Sequence, residues 1–388
     1  MQLLWKKRQL ELKDAESKIH NSAKAMQTGT DILLNTSSHD NDKIQILKNM
    51  EYEVQQLDNA MDFATIGGLA ATINLLDHSN FKIRKYAAWV IGTAVKNYDQ
   101  VQEELLKLGG IDTFINVIQL ESKGLATTTE TIAKKTSNDD DEDENNNNEE
   151  VKTIDVIGKQ LYGLGASIRG SLRNSNYFFQ RNGSKLLYKL LNMIKKAIDV
   201  GPLNQVAGPQ TTNGDRAWTP ETMVLKRKLC GVQNKVLNLI GDNLNFAIDT
   251  IQHFGGVEMQ DGTNGMLIAR SLTTVEWCKM LNDISESLCD DDVSREKILR
   301  ALQIILQIAK RNGATYEDNF DATAGSNNDD NISLSKCFNI IHHSNKLKTA
   351  LNGWKKEWSD ALLEDPTDDY AKDLSNMVDS VLNREESK

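Results

Sequence analysis

A Gly–Gly pair occurs twice at a fixed spacing, and each copy opens a similar apolar pattern. Gly67-Gly68 begins GGLAATINLL and Gly109-Gly110 begins GGIDTFINVI, so the second copy is offset from the first by 109 − 67 = 42. Apolar positions at helical spacing, repeated at about this period, are typical of armadillo and HEAT arrays. The repeat therefore predicts an all-α fold, an armadillo/HEAT-like superhelical solenoid of about four repeats with helical N- and C-terminal extensions.

A third copy of the pattern follows an interruption. Asn182-Gly183 stands where the Gly pair is expected, at an offset of 183 − 110 = 73, which exceeds the first offset by 73 − 42 = 31. Residues 122–152 account for this excess and include the acidic, Asn-rich run NDDDEDENNNNEE. Such a composition cannot bury enough apolar surface to fold, so we expect a disordered insertion in one loop. A fourth unit ends at Gly255-Gly256.

These patterns divide the chain into five regions. They are an N-terminal charged helical region and linker (1–42), the first armadillo repeats (43–121), the insertion (122–152), further armadillo-like repeats with a loop at 200–220 (153–265), and C-terminal helical repeats with a cap (266–388).

Composition and motifs exclude several functions. A net charge of −10 and an aromatic content of 6% argue against nucleic-acid binding, which needs a basic surface and aromatic platforms. No apolar run approaches the roughly 20 residues of a membrane span, so we expect no membrane insertion. The chain has no GxxxxGK[ST], GxGxxG, HExxH or GxSxG motif. We therefore expect neither an enzyme nor a bound metal or cofactor.

The four cysteines are Cys230, Cys278, Cys289 and Cys337. They show no CxxC spacing and fit neither a zinc site nor a dense disulfide framework. Buried free thiols are the favoured interpretation. A Cys278–Cys289 bridge is the alternative if the compartment is oxidising.

The surface predicted to bind a partner is the concave face of the solenoid, lined by the last helix of each unit. Lys96 and Arg169 fall at equivalent repeat positions, since 169 − 96 = 73. The candidate contact residues are Glu51, Gln55, Asn59, Lys96, Asn97, Arg169 and Arg173, and the structural repeat positions are Gly67, Gly68, Trp89, Gly109, Gly110 and Tyr162. Three glycosylation sequons begin at Asn35, Asn182 and Asn331.

The stretch MEYEVQQLDNAMDFATIGGLAATINLL, followed by KYAAWVIGTAVKNYDQVQEELLKLGG, resembles the armadillo-type nucleotide exchange factors of heat-shock-seventy chaperones. DNAMDF and the Gly pair match a core shared with the cytosolic branch. Tyr52 and Gln56 before it are similar to the luminal, SIL-type branch. Trp89 resembles a ladder tryptophan of importin-type proteins, but Thr93 replaces their ladder asparagine, which disfavours a peptide-clamping adaptor.

The resemblance implies a co-chaperone that binds the ATPase domain of a heat-shock-seventy chaperone, with BiP of the endoplasmic reticulum lumen favoured. A cytosolic exchange factor and a passive armadillo peptide-binding scaffold are the alternatives, and we expect a monomer. No signal peptide is visible in MQLLWKKRQLELKDAESKIH, which is similar to the middle of the luminal family's charged N-terminal region. We therefore hypothesise that this chain begins downstream of the true start.

Overall fold

The computed structural model describes residues 5–9, 22–135, 146–199, 220–254, 265–285, 289, 291–311 and 330–382. The helices are α1 (Ser22–Leu34), α2 (Asp40–Glu53), α3 (Leu57–Thr65), α4 (Gly68–Asn74), α5 (Phe81–Val95), α6 (Asp99–Lys107), α7 (Gly110–Lys135), α8 (Asn146–Ile168), α9 (Leu172–Gln180), α10 (Gly183–Asp199), α11 (Pro220–Phe254), α12 (Gly265–Leu272), α13 (Val275–Ile284), α14 (Asp292–Arg311), α15 (Asp330–His343), α16 (Asn345–Glu364) and α17 (Asp369–Leu382). A 3₁₀ turn spans Leu75–Asp77. Among these residues no strand is present, so the all-α prediction is confirmed.

Six helices pack in a single row, each against the next: α2, α5, α8, α11, α14 and α17. We call this row the ladder, and we call the solvent-exposed surface of its six helices the ladder face. A polar contact ties each junction: Glu51 with Thr93, Lys85 with Asp155, Arg169 with Asp242, Asn234 with Ser294, and Glu296 with Tyr370. Buried apolar side chains join all the layers in one core from Met26 to Val381. The solenoid is confirmed, and its stacking creates one extended face.

The first residue of each repeated turn adopts a left-handed backbone conformation. Gly67 has φ 82°, Gly109 has φ 72° and Asn182 has φ 61°. Glycine adopts this region without a steric penalty, and asparagine is among the few other residues that visit it routinely. The Asn182 substitution in the third unit therefore preserves the turn.

The second residue of each turn is glycine because the preceding helix lies too close for a side chain. A Cβ atom at Gly110 would lie 2.6 Å from Leu105 Cδ1. The corresponding Cβ atoms at Gly68 and Gly183 would overlap the rings of Phe63 and Phe178. In each case the obstructing residue lies five positions earlier (68 − 63, 110 − 105, 183 − 178), so the turn and its packing repeat together.

Helices α5 and α8 approach closely at two glycines. A Cβ atom at Gly163 would lie 2.5 Å from Phe114 Cζ and 2.8 Å from the Ala88 carbonyl oxygen. One at Gly92 would lie 2.5 Å from the ring of Tyr162. These glycines set the separation of the second and third ladder helices.

Buried amides cap the C-terminal end of α8. Gln102 Nε2 donates to the carbonyl oxygens of Ala166 at 2.8 Å and Arg169 at 3.0 Å. Asn174 Nδ2 donates to the Ser167 carbonyl oxygen at 2.9 Å. The last carbonyls of a helix lack intrahelical donors, so these side chains remove a cost that burial would otherwise impose.

Helices cover most of the segment 122–152, which the sequence predicted to be disordered. Helix α7 continues to Lys135 and α8 begins at Asn146, so much of 122–152 is helical rather than disordered. Once a helix has nucleated, each added residue gains a hydrogen bond at small cost, and this extends α7 beyond its apolar pattern. Residues 136–145 lie outside the described residues, as do 200–219 of the predicted loop and Gly255-Gly256.

The C-terminal region continues the array. Helices α14 and α17 form the fifth and sixth members of the ladder, so the predicted C-terminal extension stacks on the repeats in the same row. The predicted terminal cap is thus a further ladder helix. Its apolar stripe includes Ala371, Leu374, Val378 and Val381, all buried.

The four cysteines form two disulfides, Cys230–Cys289 and Cys278–Cys337. Their Cα–Cα distances of 5.4 and 5.5 Å suit a disulfide, and each bridge spans 59 residues of sequence. The predicted free thiols and the alternative Cys278–Cys289 pairing are therefore wrong. Packing decides the partners: α13, which carries Cys278, contacts α15, which carries Cys337.

None of the helices in the described ranges is long and apolar enough to cross a bilayer.

Tyr370 joins the first turn of α17 to Glu296 of α14 by a hydrogen bond of 2.9 Å. Partial burial, together with that bond and the Glu296 charge, raises the pKa of Tyr370 from its ordinary 10.0 to about 12. Between these values the unfolded chain releases a proton that the folded chain keeps, so stability falls as the pH rises through this window.

We expect the Tyr370 phenol to be almost entirely protonated in the native protein at pH 10, where an ordinary tyrosine is half ionised. The ultraviolet difference spectrum between the wild type and Tyr370→Phe isolates this phenol. Half-ionisation at pH 10 would show that Tyr370 is neither partly buried nor bonded to Glu296.

Candidate partner-binding site

Trp89 lies on α5, the second ladder helix, and is partly exposed on the ladder face. Its ring stacks on Tyr86 of the same helix, with centroids 6.1 Å apart, and Lys159 Nζ of α8 lies 3.5 Å from the Trp89 ring centroid. Tyr162 lies one turn further along α8, against Gly92. The two predicted repeat aromatics thus sit on adjacent ladder helices, and both are partly exposed.

A cluster of four lysines, Lys85, Lys159, Lys228 and Lys235, comes from α5, α8 and α11, and surrounds Asp155. We call it the lysine cluster. Asp155 Oδ2 lies 3.3 Å from Lys85 Nζ, and its Oδ1 accepts from Lys228 Nζ at 2.6 Å. Burial raises the pKa of Asp155, but the Lys228 hydrogen bond and the charges of Lys85 and Lys228 outweigh it and lower the pKa overall. Asp155 is therefore held as a carboxylate that balances two of the four ammonium groups.

The other two lysines have no carboxylate in ion-pair contact within the described part of the chain. Burial lowers the pKa of Lys159, and the charges of Lys235 and Lys85 lower it further, against weaker opposition from Glu51 and Asp155. The Lys235 side chain is exposed as a whole, but the protein around its ammonium group partly desolvates it and so lowers its pKa. Its Nζ lies 3.9 Å from the position of a Cβ at Gly158, so the missing side chain there gives the ammonium room against α8.

Glu51 and Gln55 lie at the first end of the ladder, and their role as partner contacts stays a prediction. Glu51 Oε1 accepts from Thr93 Oγ1 of α5 at 3.1 Å, and Gln55 is exposed beside it. Tyr52, which carried part of the resemblance, is 72% exposed. Thr93 therefore serves as a tie between ladder helices.

Lys96 and Asn97 follow the C-terminal end of α5 and are both exposed. Asn97 adopts φ 58°, which turns the chain away from the helix axis. Their prediction as partner contacts stays a prediction.

Three predicted contact residues are engaged inside the chain. Arg169 Nε donates to Asp242 Oδ2 at 2.9 Å, so its charge is balanced one ladder helix away. Arg173 lies on α9, outside the ladder, and pairs with Glu103 at 2.8 Å. Asn59 lies on α3 and donates to the Glu53 carbonyl oxygen at 2.9 Å. The structure therefore does not place Arg173 and Asn59 with the other candidates.

Sequence reasoning did not select the lysine cluster. Lys235 aligns with Trp89 and Tyr162 at a constant offset, since 162 − 89 and 235 − 162 both equal 73. The same offset joins Asp155 to Lys228, since 228 − 155 = 73. This recurrence was the available signal, because equivalent positions on neighbouring ladder helices face each other.

The three sequons differ in setting. Asn35 and Asn182 are exposed in turns, whereas Asn331 belongs to helix α15. Across the ranges that the structure describes, no group of three His, Cys, Asp or Glu side chains could hold a metal ion.

The helices that start the array match a known family. Residues 59–135 match the SIL1/FES1/HPBP1 C-terminal domain. That match runs from α3 to the end of α7 and contains both Gly pairs and Trp89. The SIL1/FES1/HPBP1 match thus falls on the segment with the regular Gly-pair repeat and includes the second ladder helix.

Individual relatives are similar over the same part of the chain. The Hsp70 nucleotide exchange factor FES1 of Gibberella zeae is 29% identical over 106 residues, which cover 26% of this chain and 50% of that protein. The Hsp70 nucleotide exchange factor fes-1 of Neurospora crassa is 35% identical over 81 residues, covering 21% and 33%. The nucleotide exchange factor SIL1 of Rattus norvegicus is 34% identical over 86 residues, covering 22% and 18%. The chain thus spans half or less of these relatives.

Among solved structures, a designed armadillo repeat protein aligns over 92% of this chain and 100% of its own length. Its sequence identity is 10% and its TM-score is 0.48.

Proposed function

We propose that this chain is a nucleotide exchange factor: it binds the ATPase domain of a heat-shock-seventy (Hsp70) chaperone through the ladder face and accelerates ADP release. The match of residues 59–135 to the SIL1/FES1/HPBP1 C-terminal domain carries this proposal, because relatives from both branches are named exchange factors. The ladder face supplies the surface, since it is continuous over six helices and presents Trp89 and the lysine cluster.

We further propose that the partner is the luminal chaperone BiP and that the chain works in the endoplasmic reticulum. The two disulfides favour this branch, because thiols in the cytosol are kept reduced. Tyr52 and Gln56 of the SIL-type resemblance point the same way.

The mechanism requires no catalytic residue. It requires only that the factor bind one conformation of the ATPase domain more tightly than another. A face that contacts the ATPase domain more favourably when the nucleotide cleft is open shifts the population toward the open form. Couplings of this kind are typically about 1–3 kcal/mol, or roughly 5- to 150-fold, and they are reciprocal. ADP must therefore weaken binding of the factor by the same ratio by which the factor weakens binding of ADP.

Stopped-flow release of labelled ADP from the purified ATPase domains of BiP and of a cytosolic Hsp70 tests both proposals. We expect saturating factor, with its disulfides intact, to speed release from BiP by at least about tenfold and to act less on the cytosolic domain. A stronger effect on the cytosolic domain would assign the chain to the other branch. Unchanged release from both would reject exchange activity and leave the passive peptide-binding scaffold, which short extended peptides would then test.

A further inference from the structure

The lysine cluster is an unusual concentration of charge for this chain. The chain carries a net charge of −10, yet four ammonium groups meet here around the carboxylate of Asp155, and Glu51 is the other carboxylate whose charge acts on Lys159. The ammonium groups of Lys159 and Lys235, on neighbouring ladder helices, repel each other, so these two lysines add no ion pair that would stabilise the fold. A surface that keeps such an arrangement is suited to a ligand of the opposite charge.

Two of the four groups are available for that ligand. Lys85 and Lys228 are engaged with Asp155, whereas Lys159 and Lys235 contact no carboxylate within the described ranges. Lys159 is held by the Trp89 ring, which positions the ammonium group without neutralising it. Both groups are partly desolvated, and this lowers the pKa of each and strengthens any contact with an anion.

The surroundings favour a protein carboxylate over a phosphate. The cluster lies in the interiors of α5, α8 and α11, so the N-termini of these three helices do not direct their backbone N–H groups toward it. The Tyr86–Trp89 stack and Tyr162 border the cluster and supply the aromatic contact area typical of the centre of a protein interface.

We propose that Lys159 and Lys235 bind a pair of carboxylates on an acidic surface of the chaperone ATPase domain, with Trp89 as the apolar anchor beside them. This inference rests on the proposed function and adds the chemistry of the partner's surface. It places the centre of the interface between α5, α8 and α11, away from the predicted Arg169 and Arg173.

The test compares Lys159→Glu/Lys235→Glu with Lys185→Glu/Lys189→Glu in the full chain. Lys185 and Lys189 are exposed on α10, outside the ladder, so the control makes the same change in charge elsewhere. We expect the ladder variant to bind the labelled ATPase domain on the order of 100-fold more weakly, and the control within about threefold of the wild type. Lys159→Gln/Lys235→Gln, which adds no new repulsion beside Asp155, is expected to weaken binding about tenfold and to melt like the wild type.

Equal affinity of the ladder variant and the wild type would overturn the inference while leaving the exchange function intact. If the wild type binds neither chaperone domain, the proposed function fails, and a labelled polyglutamate peptide then decides the inference separately. Binding of that peptide by the wild type and its loss in the ladder variant would support recognition of carboxylates. Equal binding by the two proteins, or tighter binding of inorganic tripolyphosphate than of polyglutamate, would reject it.

Discussion

Reduction of the two disulfides is expected to destabilise the C-terminal half of the solenoid and to leave the N-terminal half unchanged. Each bridge closes a loop of about 60 residues, for which chain-entropy arguments give about 4 kcal/mol. The loops overlap, so the two contributions do not simply add. All four cysteines lie between residues 230 and 337, so helices α1–α10 contain none.

Thermal melting with and without reductant, followed by hydrogen exchange along the chain, measures this effect. Neighbouring repeats of a solenoid can unfold separately, so we expect a new transition at lower temperature confined to α11–α17. The variant with all four cysteines changed to serine should melt like the reduced protein, and reductant should not change its melting curve. An identical melting curve for oxidised and reduced wild type would show that the bridges do not form in solution.

A single substitution tests which cysteines are paired. Cys278→Ser should release Cys337 as the one thiol that reacts with maleimide after unfolding, because Cys230 and Cys289 stay bonded. Labelling of Cys289 instead would show that Cys278 pairs with Cys289, which is the alternative predicted from the sequence.

The same substitution at two glycines of α8 is expected to have opposite effects. An added methyl group at Gly163 would lie 2.5 Å from Phe114 Cζ and 2.8 Å from the Ala88 carbonyl oxygen. A backbone oxygen cannot move aside by rotating a side chain, so Gly163→Ala should destabilise the fold by about 2 kcal/mol. It should also push α5 from α8 and separate Trp89 from Lys159, which weakens chaperone binding.

Gly165→Ala is the matched control. The nearest atom to its new Cβ is Leu239 Cδ1 at 3.7 Å, an ordinary contact distance. Alanine favours a helix over glycine, so this variant should gain about 0.5–1 kcal/mol and bind normally. Urea unfolding gives both free energies. A Gly163→Ala variant as stable as Gly165→Ala would mean that α5 and α8 are further apart than described.

The ladder follows from local sequence signals. The turns at Gly67, Gly109 and Asn182 need a residue that tolerates positive φ, and the glycines after them leave space for the residue five positions earlier. Both requirements involve residues close in sequence, so the same residue types recur at each turn. Their spacing gives the length of the repeat. The apolar helical patterns between them then predict an all-α solenoid without knowledge of any long-range contact.

The pairs across the ladder could not be predicted in the same way. Arg169 looked available for a partner in the sequence, but Asp242, which is distant along the chain, binds it in the fold. Cysteine pairing likewise depends on how α11, α13 and α15 pack, which local patterns do not determine. A single lysine on a helix surface is ordinary, so the lysine cluster could be predicted only from the constant offset that relates Asp155 to Lys228. The offset does not show that three helices converge on Asp155, which only the fold reveals.

The overlapping disulfides also decide how the chain carries tension. A force that pulls the ends apart passes from Cys230 through the first disulfide to Cys289. It then runs back along residues 278–289, which belong to both loops, and through the second disulfide from Cys278 to Cys337. At about 3.5 Å per extended residue, a bridge with a sequence separation of 59 hides about 200 Å of chain from the pull. The oxidised C-terminal half therefore resists threading through a narrow pore or an unfolding motor, whereas the N-terminal helices α1–α10 can be drawn out one repeat at a time.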